Sequence, residues 1–514
     1  MQPANSVASR ADDDNDDDDL DRPFPLRAMR SPPELPPPAS TAKSFGKTVR
    51  DFALVALVSM ASAFLAITIY TRMPAGDATS TPAAAPALGP PASVAGASVT
   101  TDEPTASPPA APAAAATAAA APASPPAASA ALVTQSPPGP AVRGVTDTEI
   151  RFGIAAPFSG PAKELGRQMK LGIDTAFGVV NSAGGVHGRQ LRLIAADDGY
   201  EPSRTIAASK QLYEKDQVFG LVGNVGTPTA MVAMPYALQQ KMLFFGAFTG
   251  ADLLRHDPPD RYVFNYRASY AEETEAVVRY LVKVRGLKPE QIAVFAQQDG
   301  YGDSGFAGVA KAIRALRGGS ASPTLRLDYK RNTVDVDEAI ARLRASKTPI
   351  KAVVMVPTYR AAAKFIEKTR DLIPGLIYTS VSFVGSTALA GELTLLGPRF
   401  AEGVIVTQVV PAISGYSSLI LEYKAALAKY FPGEAPDYVS LEGYVAGGLL
   451  AEGLKRTGPQ LDTEKLVEAL ETLRDFDMGL GTLLKFGRTE HQGSHKVWAT
   501  QLDQAGHFQA IDLQ

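Results

Sequence analysis

The residues best placed to do chemistry in this chain lie in two neighbouring turns. The stretch QVFGLVGNVGTPT at 217–229 passes from apolar residues into glycines and hydroxyls, and MLFFG at 242–246 leads in the same way into AFTG at 247–250. Residues 218–222 suit a buried parallel strand, and Gly223 and Gly226 permit a tight turn. Thr227 then reads as the N-cap, and Pro228 as the first position, of a helix reaching 239. Free N–H groups at a helix start, beside the hydroxyls of Thr227 and Thr249, attract a carboxylate because the helix dipole and unpaired donors converge on one spot. Two such turns side by side make half of a pocket. Turns of this composition also occur in any doubly wound protein without a site, so the rest of the chain must decide.

Signatures of bond-making chemistry are scarce. Of five histidines, His491 and His495 share an i, i+4 spacing, but they lie in GRTEHQGSH at 487–495, which lacks helical periodicity and a third ligand. Residues 160–166 faintly resemble a phosphate loop, yet Arg167 stands where its lysine belongs and no Ser or Thr follows. No G-x-S-x-G elbow is present, and cysteine is absent altogether. The expectation is a binding protein with no catalytic residue, metal or cofactor. A formal net charge of −3 offers no basic surface for nucleic acid.

The elements that must position the two turns occupy only part of the 514 residues. The aspartate run at 12–19 and PPELPPP at 32–38 make residues 1–51 an expected acidic, Pro-rich, disordered tail on the cytoplasmic side. Residues 52–71 are uncharged throughout and, at ~1.5 Å per residue, span about 30 Å as a helix, which is one membrane crossing. Lys43, Lys47 and Arg50 before it, against Arg72 just after, place the N-terminus inside. An uncleaved anchor is expected, with a cleaved signal sequence as the alternative; either way the remainder is exported. Residues 72–143 are rich in Ala, Pro, Ser and Thr and read as a disordered tether. The lack of cysteine excludes lipid attachment through an N-terminal cysteine.

From about 144 onward, strand-like and helix-like segments alternate. Strands are expected at 150–155, 190–195, 291–296, 325–329, 352–356 and 376–380, with helices at 164–181, 203–215, 272–284, 305–317, 336–345 and 361–371 between them. This βαβ order predicts α/β architecture with mostly parallel sheets, and the restart of the alternation after RYVFNYR at 261–267 predicts two lobes.

Within this region GVTDTEI (144–150), PFSGP (157–161), NSAGGVHGRQL (181–191), Asp197-Asp198 and GYGDSGF (300–306) occur in order. Together they resemble the periplasmic branched-chain amino acid binding proteins, the type I solute-binding proteins of ABC transporters. The resemblance implies a periplasmic binding protein type I fold, two doubly wound lobes joined by three crossover strands, closing on a small-molecule solute and handing it to ABC permease subunits. It implies a first lobe of about 145–267 with 409–486 and a second of about 268–408 with 487–514. It also implies ligand contacts from Gly226 and Thr227, from Ala247, Phe248 and Thr249, from Tyr301 of the other lobe and from Tyr359. Phe158, Phe248 and Phe383 are expected as apolar walls, with Ser382 beside them. Amino-acid binders of the family carry an acid near this last segment, whereas SVSFVG at 380–385 has none. A buried ammonium without a partner costs several kcal/mol, so a carboxylate or amide becomes as good a ligand expectation as an amino acid. The competing class is the sensing ectodomain of a signalling system.

Overall fold

The computed structural model describes residues 142–319 and 323–514. The expected tail, the membrane span at 52–71 and nearly all of the tether lie outside the described residues. No helix among those described is long and apolar enough to cross a membrane.

Two sheets form the framework. The first has strand order β2-β1-β3-β4-β5, from β1 (Glu149–Ala156), β2 (Gln190–Asp197), β3 (Gly220–Val222), β4 (Leu243–Phe245) and β5 (Val263–Phe264), all parallel. The second has order β12-β11-β10-β9-β8-β6-β7, built from β6 (Ile292–Gln297), β7 (Leu325–Tyr329), β8 (Ala352–Val356), β9 (Ile377–Ser380), β10 (Ile405–Gln408), β11 (Trp498–Leu502) and β12 (Phe508–Ile511). Its first five strands run parallel, and the C-terminal hairpin β11–β12 adds to β10 antiparallel. Strands β6 and β8 are buried at every residue, as uninterrupted runs such as AVVMV require when helices cover both faces.

Helices α1 (Lys163–Ser182), α2 (Pro202–Glu214) and α3 (Thr227–Gln239) connect the strands of the first sheet. In the second, α4 (Tyr270–Arg279), α5 (Gly300–Leu316), α6 (Asp337–Arg344), α7 (Tyr359–Thr369), α8 (Ser386–Leu396) and α9 (Pro398–Ala401) play that part. After β10 the chain returns to the first sheet's side through α10 (Ser418–Tyr430), α11 (Tyr438–Thr457) and α12 (Thr463–Glu471). Helix α11 lies directly on α1, and glycine sets their approach: a Cβ at Gly172 would fall 1.8 Å from Ser440 O, and one at Gly443 2.5 Å from Met169 O.

The chain passes between the sheets near 266, 409 and 493, and these passages are tied to one another. Asn265 pairs in parallel with Gln492, with Asn265 N–H donating to His491 O at 2.8 Å, and Tyr266 Oη donates to Val409 O at 2.7 Å. Several helix starts differ from expectation, and at two of them a capping side chain is the reason. Helix α5 begins at Gly300 rather than 305, because Asp299 caps it by accepting from Tyr301 N–H at 3.0 Å. Helix α4 begins at Tyr270 rather than 272, because Ser269 and Glu272 form a capping box.

Candidate functional site

Nearly all of the expected ligand residues lie just past the carboxyl ends of strands, where open α/β sheets bind ligands. The turns after β3 and β4 meet through their hydroxyls: Thr227 Oγ1 and Thr249 Oγ1 are 2.6 Å apart and both residues are fully buried. The backbones are locked as well, Phe248 N–H donating to Asn224 O at 2.7 Å and Gly226 N–H to Phe248 O at 3.1 Å. Ala247 packs beneath them, buried. Gly226 adopts φ +105°, and a Cβ there would stand 2.3 Å from the ring of Tyr200, so glycine is required twice over.

One expectation needs correction here. Helix α3 starts at Thr227 itself, with Gly226 in the cap position and no side-chain cap bond. The threonine hydroxyl is turned toward Thr249 instead of back onto the helix, so it does not cap it.

The second sheet contributes aromatic rings. Phe383, in the turn after β9, stacks on Phe248 with centroids 4.9 Å apart and lies 4.6 Å from Tyr301, 6.2 Å from Tyr200 and 6.4 Å from Tyr270. It thus sits among rings of both sheets. Tyr301 offers its ring rather than its hydroxyl, which donates to Pro357 O at 3.2 Å. Phe158 and Tyr359 stand apart from this cluster. Phe158 is partly buried and gives its N–H to Asp197 Oδ1 at 2.8 Å, while Tyr359 packs beside Gly385 with Arg360 over its ring.

Ser382 joins a buried charge network that the sequence did not reveal. Its hydroxyl meets Arg267 Nη2, and its N–H donates to Glu273 Oε2 at 2.8 Å. Glu273 Oε1 accepts from Arg267 Nη2 at 3.0 Å, and Thr407 Oγ1 donates to Oε2. A carboxylate therefore does stand against Ser382, brought by α4 rather than by the segment after β9, but it is already committed to a guanidinium. Glu442 of α11 approaches Arg267 Nη1 to 3.5 Å. Burial, reinforced by Glu273, pushes the Glu442 carboxyl up to about 7 against the pull of Arg267. Burial would loosen the proton of Arg267, but Glu442 and Glu273 outweigh it and hold the guanidinium charged. Arg267 also lies over Phe248, its Cζ 5.0 Å from the ring centroid.

A polar seam closes one side of the cluster. Arg331 Nη2 donates to Glu201 Oε2 at 2.9 Å, Asn332 Nδ2 to Glu201 Oε1 at 2.6 Å and Gln297 Nε2 to Tyr200 Oη at 3.2 Å, joining the turn after β2 to the end of β6 and the turn after β7. Tyr200 and Asn332 hold left-handed backbone, φ +64° and +58°, in this seam. Signals for the missed residues were present in two places. The S-x-x-E box at 269–272 puts Tyr270 and Glu273 in a first helical turn, and Arg267 closes the aromatic-rich run YVFNY at 262–266.

The histidines take structural places. His491 stacks on Phe264 at 3.8 Å and its Nδ1 lies 2.8 Å from Val263 O, and His495 pairs with Glu272 at 2.7 Å. Among the described residues no three metal-ligating side chains gather. A polar cavity of about 440 Å³ lies beside the passages between the sheets, lined by Arg255, Asn265, Glu272, Gln492 and His495 among others; the threonine pair is not part of its lining.

The periplasmic binding protein family matches residues 149–507. The chain belongs to the periplasmic binding protein family. Its solved relatives include a possible leucine/isoleucine/valine-binding protein from Rhodopirellula baltica SH 1, 40% identical with a TM-score of 0.68, the match covering 73% of this chain and 99% of that one. A substrate-binding periplasmic protein from Ralstonia solanacearum is 26% identical with a TM-score of 0.64, over 71% and 100% of the two chains. The Leu/Ile/Val-binding protein homolog 3 of Brucella melitensis is 26% identical over 339 residues, 65% of this chain and 86% of its own. As a periplasmic binding protein of type I fold, the chain is an extracytoplasmic solute-binding protein.

Proposed function

We propose that the protein holds a small carboxylate-bearing solute between its two lobes, with Gly226, Thr227, Ala247, Phe248, Thr249, Tyr301 and Ser382 around it, and delivers it to the membrane subunits of an ABC permease. The observation that carries this reading is the buried Thr227–Thr249 hydroxyl pair, whose neighbour Phe248 stacks on Phe383 of the opposite sheet. The lobes are residues 145–267 with 409–486 and residues 268–408 with 487–514, hinged at the three passages. The chain acts by binding and catalyses nothing. Solute bridges the lobes and shifts an open–closed equilibrium toward the closed form, since only that form offers contacts from both sides. Residues 52–71 anchor it to the inner membrane with the lobes outside.

A thermal-shift screen of small acids, amides and amino acids identifies the solute, because a ligand bound only by the folded form raises its melting temperature. X-ray scattering with and without that solute then shows a more compact particle when it is bound; identical curves contradict the reading. Uptake of the labelled solute that persists unchanged in cells lacking the protein contradicts delivery to a permease. A mature N-terminus after residue 72, read by mass spectrometry of membrane-extracted protein, ends the anchor assignment.

A further inference from the structure

Arg267 is 1% exposed, yet among the described residues only one of its three nitrogens makes hydrogen bonds. Nη2 serves Glu273 and Ser382, whereas Nε and Nη1 have no hydrogen-bond partner. Nη1 faces Glu442 at ion-pair distance only, 3.5 Å, with no hydrogen bond between them. Unmade hydrogen bonds on a buried guanidinium are costly, and native structures rarely keep them without a use. The surroundings indicate the use. The guanidinium lies against Phe248 and Ser382, two residues of the candidate site, and 5.7 Å from the ring centroid of Tyr270, whose hydroxyl also lacks a partner. The carboxylate that stands against Ser382 is consumed by this same arginine.

Resting on the solute-binding reading above, we propose that Arg267 recognises the solute directly, giving its open N–H donors to oxygen acceptors. The protein therefore selects amine-free organic acids, 2-oxo acids among them, over the corresponding α-amino acids. A guanidinium offers fixed, forked donors that match a carboxylate or an oxo–carboxylate edge. An α-ammonium in its place would set two cations side by side in a water-poor site. The rings of Phe248, Phe383, Tyr270 and Tyr301 provide the apolar body's surroundings.

Two matched pairs test this by calorimetry on the exported domain's natural context, the full chain in detergent: phenylpyruvate against phenylalanine, and 4-methyl-2-oxopentanoate against leucine. Each pair differs at one carbon, oxo against ammonium. In at least one pair the oxo acid is expected to bind tenfold or more tightly than its amino acid. Arg267→Lys keeps a cation for Glu273 but loses the fork, and is expected to lower oxo-acid affinity tenfold or more with an unfolding midpoint near that of the parent. Glu442→Gln is expected to leave the preference in place. Tighter binding of the amino acid, abolished by Glu442→Gln, overturns the inference and hands ammonium recognition to Glu442, leaving the solute-binding reading intact. Equal oxo-acid affinity in Arg267→Lys, or no binding by either oxo acid, also overturns it, while the broader solute screen continues to judge the binding function.

Discussion

Two arginines twelve residues apart, Arg255 and Arg267, are used in opposite ways. Arg255 is partly buried beside the passages between the sheets, and each of its nitrogens is occupied: Nε donates to Gln492 Oε1 at 2.7 Å, Nη1 to Ala251 O at 2.9 Å and Nη2 to Arg267 O at 3.0 Å. Its partners are mostly backbone carbonyls, so it splices the first sheet's last turn to two of the passages. Arg267 is buried more completely, neutralised by carboxylates and left with open donors. The comparison separates a group that holds the frame together from one whose hydrogen-bonding capacity is still available.

The sharpest way to break the comparison is to remove each guanidinium. Arg267→Ala leaves Glu273 buried without its cation and is expected to cost about 3–5 kcal/mol in urea unfolding. Arg255→Ala leaves neutral carbonyls short of a donor and is expected to cost roughly 1–3 kcal/mol. Equal costs would mean that the two sites do not differ in kind.

A smaller effect comes through pH. The Glu442 carboxyl is raised in the folded protein from 4.5 to about 7, so its contribution to stability is complete below the unfolded value and is lost as pH rises through about 7. Glu442→Gln, a neutral shape match, is expected to flatten the stability profile across that interval and to be the more stable form above it. A profile unchanged by the substitution would remove Glu442 from the network. The smallest effect is expected at the rim of the passages. His495 pairs with Glu272 but is half exposed, so His495→Gln should cost only ~0–1 kcal/mol, and a larger loss would show that this pair, rather than Arg255, ties the passages.

Much of the frame was legible because uninterrupted apolar runs such as 352–356, separated by helical periodicity, leave few alternatives to a parallel sheet. The two threonine turns were legible for a local reason, glycine and hydroxyl chemistry at a strand end. What escaped was long-range. Glu273 and Arg267 are six residues apart, but Ser382 lies 109 and 115 residues from them, and their meeting depends on how the chain brings α4 against β10. An acid delivered by another helix leaves no mark in the sequence beside Ser382. Helix starts failed where a capping side chain extends the helix beyond its apolar periodicity, as Asp299 does for Tyr301.

Solute placement at the Thr227–Thr249 pair between the lobes is the proposal on which the other assignments depend. Its most direct test is calorimetric titration of Thr249→Val beside the parent, using the solute found by thermal shift. The substitution keeps shape and removes one donor to a charged group, which is worth on the order of 1.5–3 kcal/mol. Affinity is predicted to fall more than tenfold in a protein that still folds cooperatively, with the unfolding midpoint lowered because the buried Thr227 hydroxyl loses its partner. Undiminished affinity in a folded Thr249→Val protein would place the solute elsewhere and contradict the account.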